Sequence, residues 1–104
     1  MTEATIRDAV NRLLRAAPGS RVIVFGSQAL GNARFDSDVD FLVVEPKVEN
    51  QFEEMARLGA VLAPLKIPVD LLVVSAERFE YWRDTPNTII HKAAKEGRVY
   101  EQVA

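Results

Sequence analysis

The chain has 104 residues, 48% of them hydrophobic and 27% charged, with a formal net charge of -2. That length supports one domain, spanning 1–104, with a single modest core, and the charge balance gives no basic field for long DNA or RNA. Cysteine is absent, which excludes disulfides and thiolate metal sites and fits a cytoplasmic protein. No apolar run is long enough to span a membrane, and the opening MTEATIRDAV is amphipathic rather than signal-like.

In chain order, residues 3 to 17 read as a helix. Ile6, Val10, Leu13, Leu14 and Ala17 recur at helical spacing, Thr2 is placed to cap the start, and Pro18-Gly19 ends the run. Arg21 to Phe25 reads as a short buried strand, Gly26 to Leu30 as a turn into a short helix, and Asn32 to Ser37 as a polar loop. Asp38 to Glu45 is expected to be a second strand, acidic at its start and apolar afterwards. Asn50, with Glu53 as its capping-box partner, starts a helix carrying Phe52, Met55, Ala56, Gly59 and Leu62, which stops near Pro64. Pro68 to Val74 is a third strand whose only charge is Asp70; Ser75 opens a helix through Trp82; Asn87 to Glu96 forms a last helix, closed by Gly97. Arg98 to Glu101 adds a short strand or tail. Helices alternating with strands that are apolar on both faces predict an α/β (α+β) domain with a largely covered sheet.

The acids Asp36, Asp38 and Asp40, at alternate positions ahead of an apolar strand, are the unusual feature. Carboxylates side by side repel one another, and Asp is depleted in strands. Solvated acids paired with Arg34 or Lys47 are the plain explanation. A calcium loop of the EF-hand kind fails, because its obligatory Gly and Glu fall on Phe41 and Lys47. A nucleophile elbow around Ser27 fails because Phe25 and Ala29 occupy its glycine positions. A P-loop fails at Asn32 and Ala33. One reading uses every odd feature. Alternation along a strand puts Asp38 and Asp40 on one face, and Asp70 joins them if its strand lies alongside. Three such carboxylates form a hard oxygen site suited to Mg²⁺, and two ions roughly 3.5–4 Å apart would clamp an in-line phosphoryl displacement. Gly26-Ser27, where a strand gives way to a short helix, offers backbone N–H groups and a hydroxyl to phosphate oxygens.

The run from Gly26-Ser27 through Gly31 to Ser37-Asp38-Val39-Asp40 resembles the G-S-x-x-x-G-x-x-x-x-x-S-D-x-D signature of the DNA polymerase β-like nucleotidyltransferase superfamily, most of all its minimal prokaryotic members. The resemblance implies a polymerase β palm-like fold, a small mixed sheet with helices packed on it. It implies Asp38, Asp40 and Asp70 as metal ligands and catalytic carboxylates, with Asp70 also acting as base. Gly26 and Ser27 would contact the β- and γ-phosphates of ATP, with Arg34 in support. The implied activity is Mg²⁺-dependent transfer of AMP from ATP to a tyrosine hydroxyl of a small all-helical HEPN-class toxin, the chain acting as its antitoxin. Gln28 and Leu30 depart from the pattern, since relatives often carry Arg there; the lost charges weaken the expected grip on triphosphate. Two alternatives stand beside this one. One is a catalytically weak nucleotide-binding module that neutralises its partner by occlusion, and the other is a small-molecule adenylyltransferase like the aminoglycoside-modifying enzymes.

Other features have plainer readings. In Phe79-Glu80-Tyr81-Trp82, Phe79 and Trp82 share a helical face suited to the core, and Tyr81 is the candidate for a partner surface. His91 reads as a structural or exposed helix residue, and Lys92, Lys95 and Arg98 as charges complementing a helix C-terminus.

Overall fold

A computed structural model describes residues 2–26 and 39–102. Helix α1 (Glu3–Ala16) starts at Thr2, whose side chain accepts a hydrogen bond from the Thr5 amide, and it buries Ile6, Ala9, Val10, Leu13 and Leu14. Strand β1 (Arg21–Phe25) follows, then β2 (Val39–Glu45), α2 (Gln51–Leu62) with a 3₁₀ turn at Ala63–Leu65, and β3 (Val69–Ser75). Helices α3 (Ala76–Trp82) and α4 (Ile89–Glu96) and the short strand β4 (Arg98–Glu101) complete the described chain. Asn50, Ser75 and Thr88 each accept a bond from a first-turn amide of the helix they precede. The last helix therefore begins at Ile89, two residues later than the sequence pattern implied, because Thr88 takes the cap and Asn87 adopts a left-handed φ of 68°. The expected turn and short helix after Gly26, and the polar loop before Asp38, lie outside the described residues.

The strands form one mixed sheet in the order β3-β2-β1-β4. β2 and β3 are parallel, while β1 is antiparallel to both β2 and β4. Side-chain alternation divides the core in two. Val22, Val24, Val39, Phe41, Val43 and Val73 pack beneath α1 and α2. Ile23, Phe25, Leu42, Val44 and Val74 pack beneath α3 and α4, with Phe79, Ile90 and Ala93. Both faces of the sheet are thus covered, as strands apolar on both sides require. Among the described residues, no helix is long and apolar enough to cross a membrane.

Of the residues read into α2, Leu62 is buried and Met55 packs against the core, whereas Phe52 is 83% exposed; Leu58 is the other buried residue of the helix. The side of α2 that meets the sheet begins instead at Gln51, whose amide Nε2 donates to the Val73 carbonyl at 2.7 Å on β3. A polar residue satisfying a sheet-edge carbonyl outranks the aromatic beside it, and periodicity alone cannot anticipate that.

Phe79 is buried, 2% exposed, with the guanidinium carbons of Arg21 and Arg83 at 5.1 and 5.2 Å from its ring centroid. Tyr81 is exposed, as expected. Trp82 is only partly covered and stands edge-to-face with Tyr81, ring centroids 4.9 Å apart. His91 is structural: its Nδ1 lies 2.8 Å from the Arg83 carbonyl.

Candidate functional site

The site is built at the end of the sheet where β1 finishes and β2 and β3 begin. In the parallel register of β2 and β3, Asp40 is paired with Asp70; in the antiparallel register of β1 and β2, Phe25 is paired with Asp40. Phe25, Asp40 and Asp70 therefore form one row across three strands. Paired residues share a face, so both carboxylates point to the α3/α4 side, about 4.8 Å apart in backbone spacing. Asp40 is half-buried and Asp70 exposed. Two like charges on adjacent strands oppose each other, an arrangement that a bound cation would turn into an advantage.

Gly26 supplies the third element. Its φ of 90° lies in the left-handed region, and a Cβ there would collide with Oδ2 of Asp40. The backbone therefore turns directly against the Asp40 carboxylate, an approach only glycine permits.

Of the residues the sequence singles out, the structure brings together Gly26, Asp40 and Asp70. Ser27, Arg34 and Asp38 lie outside the described residues. No group of three or more carboxylate, His or Cys ligands occurs among the described residues. The pair that is described, two hard oxygen donors with open access at Asp70, fits the chemistry of Mg²⁺.

A second polar cluster, which the sequence did not flag, sits at the opposite end of β2, about 17 Å along the strand from Asp40. Glu45 is 8% exposed, and its Oε2 has no hydrogen-bond partner among the described residues. Glu54 is gripped by both arms of the Arg57 fork, at 2.7 and 2.8 Å, and Arg57 donates a further bond to the Ala16 carbonyl at 2.8 Å. Burial, reinforced by a hydrogen bond to Glu54 and its charge, pushes the Glu45 carboxyl up to about 7. The Arg57 hydrogen bonds, and then the one from Glu45, hold Glu54 down at about 2. Glu45 thus keeps the shared proton and Glu54 the charge. Only tertiary packing makes this pair, because the three side chains come from one strand and one helix that docks on it.

Comparison with known proteins places the fold. The chain matches the family model described as nucleotidyltransferase domain over residues 4–100, and it belongs to that family. A protein described as a minimal nucleotidyltransferase is 30% identical, with a TM-score of 0.64, covering 94% of this chain and 95% of its own. A protein from Sulfolobus solfataricus described as a nucleotidyltransferase is 25% identical, with a TM-score of 0.59, covering 75% and 70%. A toxin–antitoxin complex solved with AMP-PNP contains a chain 19% identical, with a TM-score of 0.65 over 91% of this chain and 73% of that one, a likeness of fold. No curated protein matches the sequence.

Proposed function

We propose that this nucleotidyltransferase-family protein moves AMP from ATP, with Mg²⁺, onto a tyrosine hydroxyl of a small all-helical HEPN-class partner, and so acts as an antitoxin. The observation that carries this reading is the in-register pairing of Asp40 with Asp70, closed against Gly26. Asp38, Asp40 and Asp70 are the residues that would hold the ions; bound Mg²⁺ supplies charge neutralisation and orientation to the triphosphate. Gly26, Ser27 and Arg34 would hold the phosphate tail. Asp70, exposed at the sheet edge, is the group that takes the proton from the acceptor hydroxyl. The acceptor oxygen then bonds to the α-phosphorus as the α–β bridge breaks, and pyrophosphate leaves. Most of the rate gain in such transfers is positioning and electrostatic stabilisation. That a similar fold occurs in a toxin–antitoxin complex holding AMP-PNP supports the choice of partner and nucleotide.

Occlusion of the partner without transfer is the second reading, favoured by Gln28 and Leu30, which bring no charge to the phosphate-binding run. The test uses the purified chain, Mg²⁺, ATP labelled at the α-phosphate, and a purified small all-helical HEPN-class protein as the proposed partner. Label on a partner tyrosine is expected, and Asp38→Asn should abolish it. Neutralisation of the partner that survives Asp38→Asn would select occlusion, and absence of both label and binding would overturn the proposal.

A further inference from the structure

Strand β3 is one edge of the sheet, and the direction of its backbone groups is fixed at two points. The Pro68 carbonyl, one residue ahead of the strand, accepts from the Val39 amide at 3.1 Å and so faces β2. The Val73 carbonyl accepts from Gln51 Nε2 at 2.7 Å and so faces away from β2. Along an extended chain these directions alternate. Pro68, Asp70, Leu72 and Val74 therefore turn their backbone groups to β2, and Val69, Leu71 and Val73 turn theirs to the open edge. Among the described residues, the N–H and C=O of Val69 and Leu71 meet no hydrogen-bond partner on that side.

Gln51 thus caps the half of the edge remote from the site, and the half that flanks Asp70 is left uncapped. Uncapped strand edges are templates for another chain. A segment pairing with Val69 and Leu71 lies about 4.8 Å from β3 and is centred on Asp70. Residues paired across strands share a face, so the residue opposite Asp70 carries its side chain on the face of the carboxylate. Asp70 is exposed there. An aromatic side chain also spans the diagonal to a next-but-one neighbour, so a tyrosine at either place can bring its hydroxyl to Asp70. The other edge strand, β4, is three strand spacings away, about 14 Å, and carries none of the site's residues.

We propose that the Val69–Leu71 edge docks an extended segment of the acceptor protein as an added strand, presenting its tyrosine to Asp70. This rests on the transfer reading above and deepens it. The occupant follows from continuity with the site. The acceptor hydroxyl has to come within hydrogen-bond reach of the group that takes its proton. The edge that holds Asp70 also offers free backbone groups to hold what arrives there. Backbone pairing of this kind supplies affinity with little demand on sequence. The accepting tyrosine of an all-helical partner then lies in a loop or tail, outside its helices.

The experiment is amide hydrogen exchange by NMR on the whole chain, alone and with a purified small all-helical HEPN-class protein, joined to transfer kinetics. The Val69 and Leu71 amides should exchange freely in the chain alone and about tenfold more slowly with the partner bound. Val69→Pro removes one outward donor at the first residue of a strand, where proline is tolerated. It should raise KM for the partner about tenfold and leave Mg²⁺-ATP binding unchanged, while Val69→Ala, which keeps the amide, should behave as wild type. A partner that is labelled while both amides still exchange freely would overturn the inference and leave the transfer reading standing. So would equal KM for Val69→Pro and wild type, or an equal rise in Val69→Ala. Protection already present in the chain alone and growing with its concentration would give the edge to a second copy, which also overturns it. A partner neither bound nor labelled would remove the transfer reading, and the docking edge with it.

Discussion

Asp40 and Asp70 stand opposite each other in the parallel register of β2 and β3, two carboxylates on one face of neighbouring strands. Nothing in a sheet is gained from that pairing by itself; the like charges cost stability unless a cation joins them. Asp70→Asn should therefore leave the metal-free protein as stable as before, or more stable by about 0.2–1 kcal/mol. It should also remove the rise in Tm produced by Mg²⁺-ATP, which at about 100 times Kd amounts to roughly 2.7 kcal/mol and several degrees. Thermal unfolding with and without Mg²⁺-ATP reads both effects. A variant that unfolds earlier without ligand would mean that the Asp70 carboxylate has a structural task.

Gly26→Ala tests the turn against Asp40. The new methyl group meets the Asp40 carboxylate, and φ of 90° is unfavourable for any residue with a Cβ. The expected cost is about 1–3 kcal/mol of stability, with Mg²⁺-ATP binding weakened as well, although no ionisable group has been removed. Denaturant unfolding gives the first quantity and titration the second. Unaltered binding would show that the position of the Asp40 carboxylate tolerates displacement.

The proton held by Glu45 makes stability depend on pH in a definite direction. Its carboxyl titrates at about 7 in the folded chain against 4.5 unfolded, so the folded state binds the extra proton and stability falls as pH rises from about 4.5 through 7. Glu54, held at about 2, contributes in the opposite sense: its stabilisation is present above 4.5 and is lost as pH falls towards 2. The two slopes meet near pH 4.5, where this pair stabilises the fold most. Glu45→Gln, which keeps the shape and removes the ionisation, should flatten the fall between pH 5 and 8 and raise stability at pH 8 by on the order of 2 kcal/mol. Tm measured across pH for both proteins decides it, and parallel curves would mean that Glu45 does not carry the proton.

The buried side of α2 has its own test. Leu58 is fully buried and Phe52 is 83% exposed. Leu58→Ala should cost about 2–5 kcal/mol, whereas Phe52→Ser should stay within about 0.5 kcal/mol. Denaturant midpoints for the two variants check the observed packing, and a larger loss at Phe52 than at Leu58 would overturn it.

Much of this molecule was readable from residue order. The helix starts at Thr2, Asn50 and Ser75, the bounds of β1, and the strand ending in Glu45 follow from capping chemistry and apolar runs, which are interactions between near neighbours in the chain. Alternation also put Asp40 on one definite face of its strand and singled out Asp70 as the lone charge of another. What it could not decide was that β3 lies parallel to β2 in the register that sets Asp70 beside Asp40. That depends on strand order, a contact between segments thirty residues apart in the pairing. The same holds for the side of α2 that is buried, decided by a bond from Gln51 to Val73, and for the Arg57 bond to Ala16 that ties α2 to the end of α1. The proton on Glu45 belongs with these. Local sequence governs caps, turns and alternation because those energies act within one or two turns of backbone; register, helix rotation and the pairing of buried charges are decided only when distant segments dock.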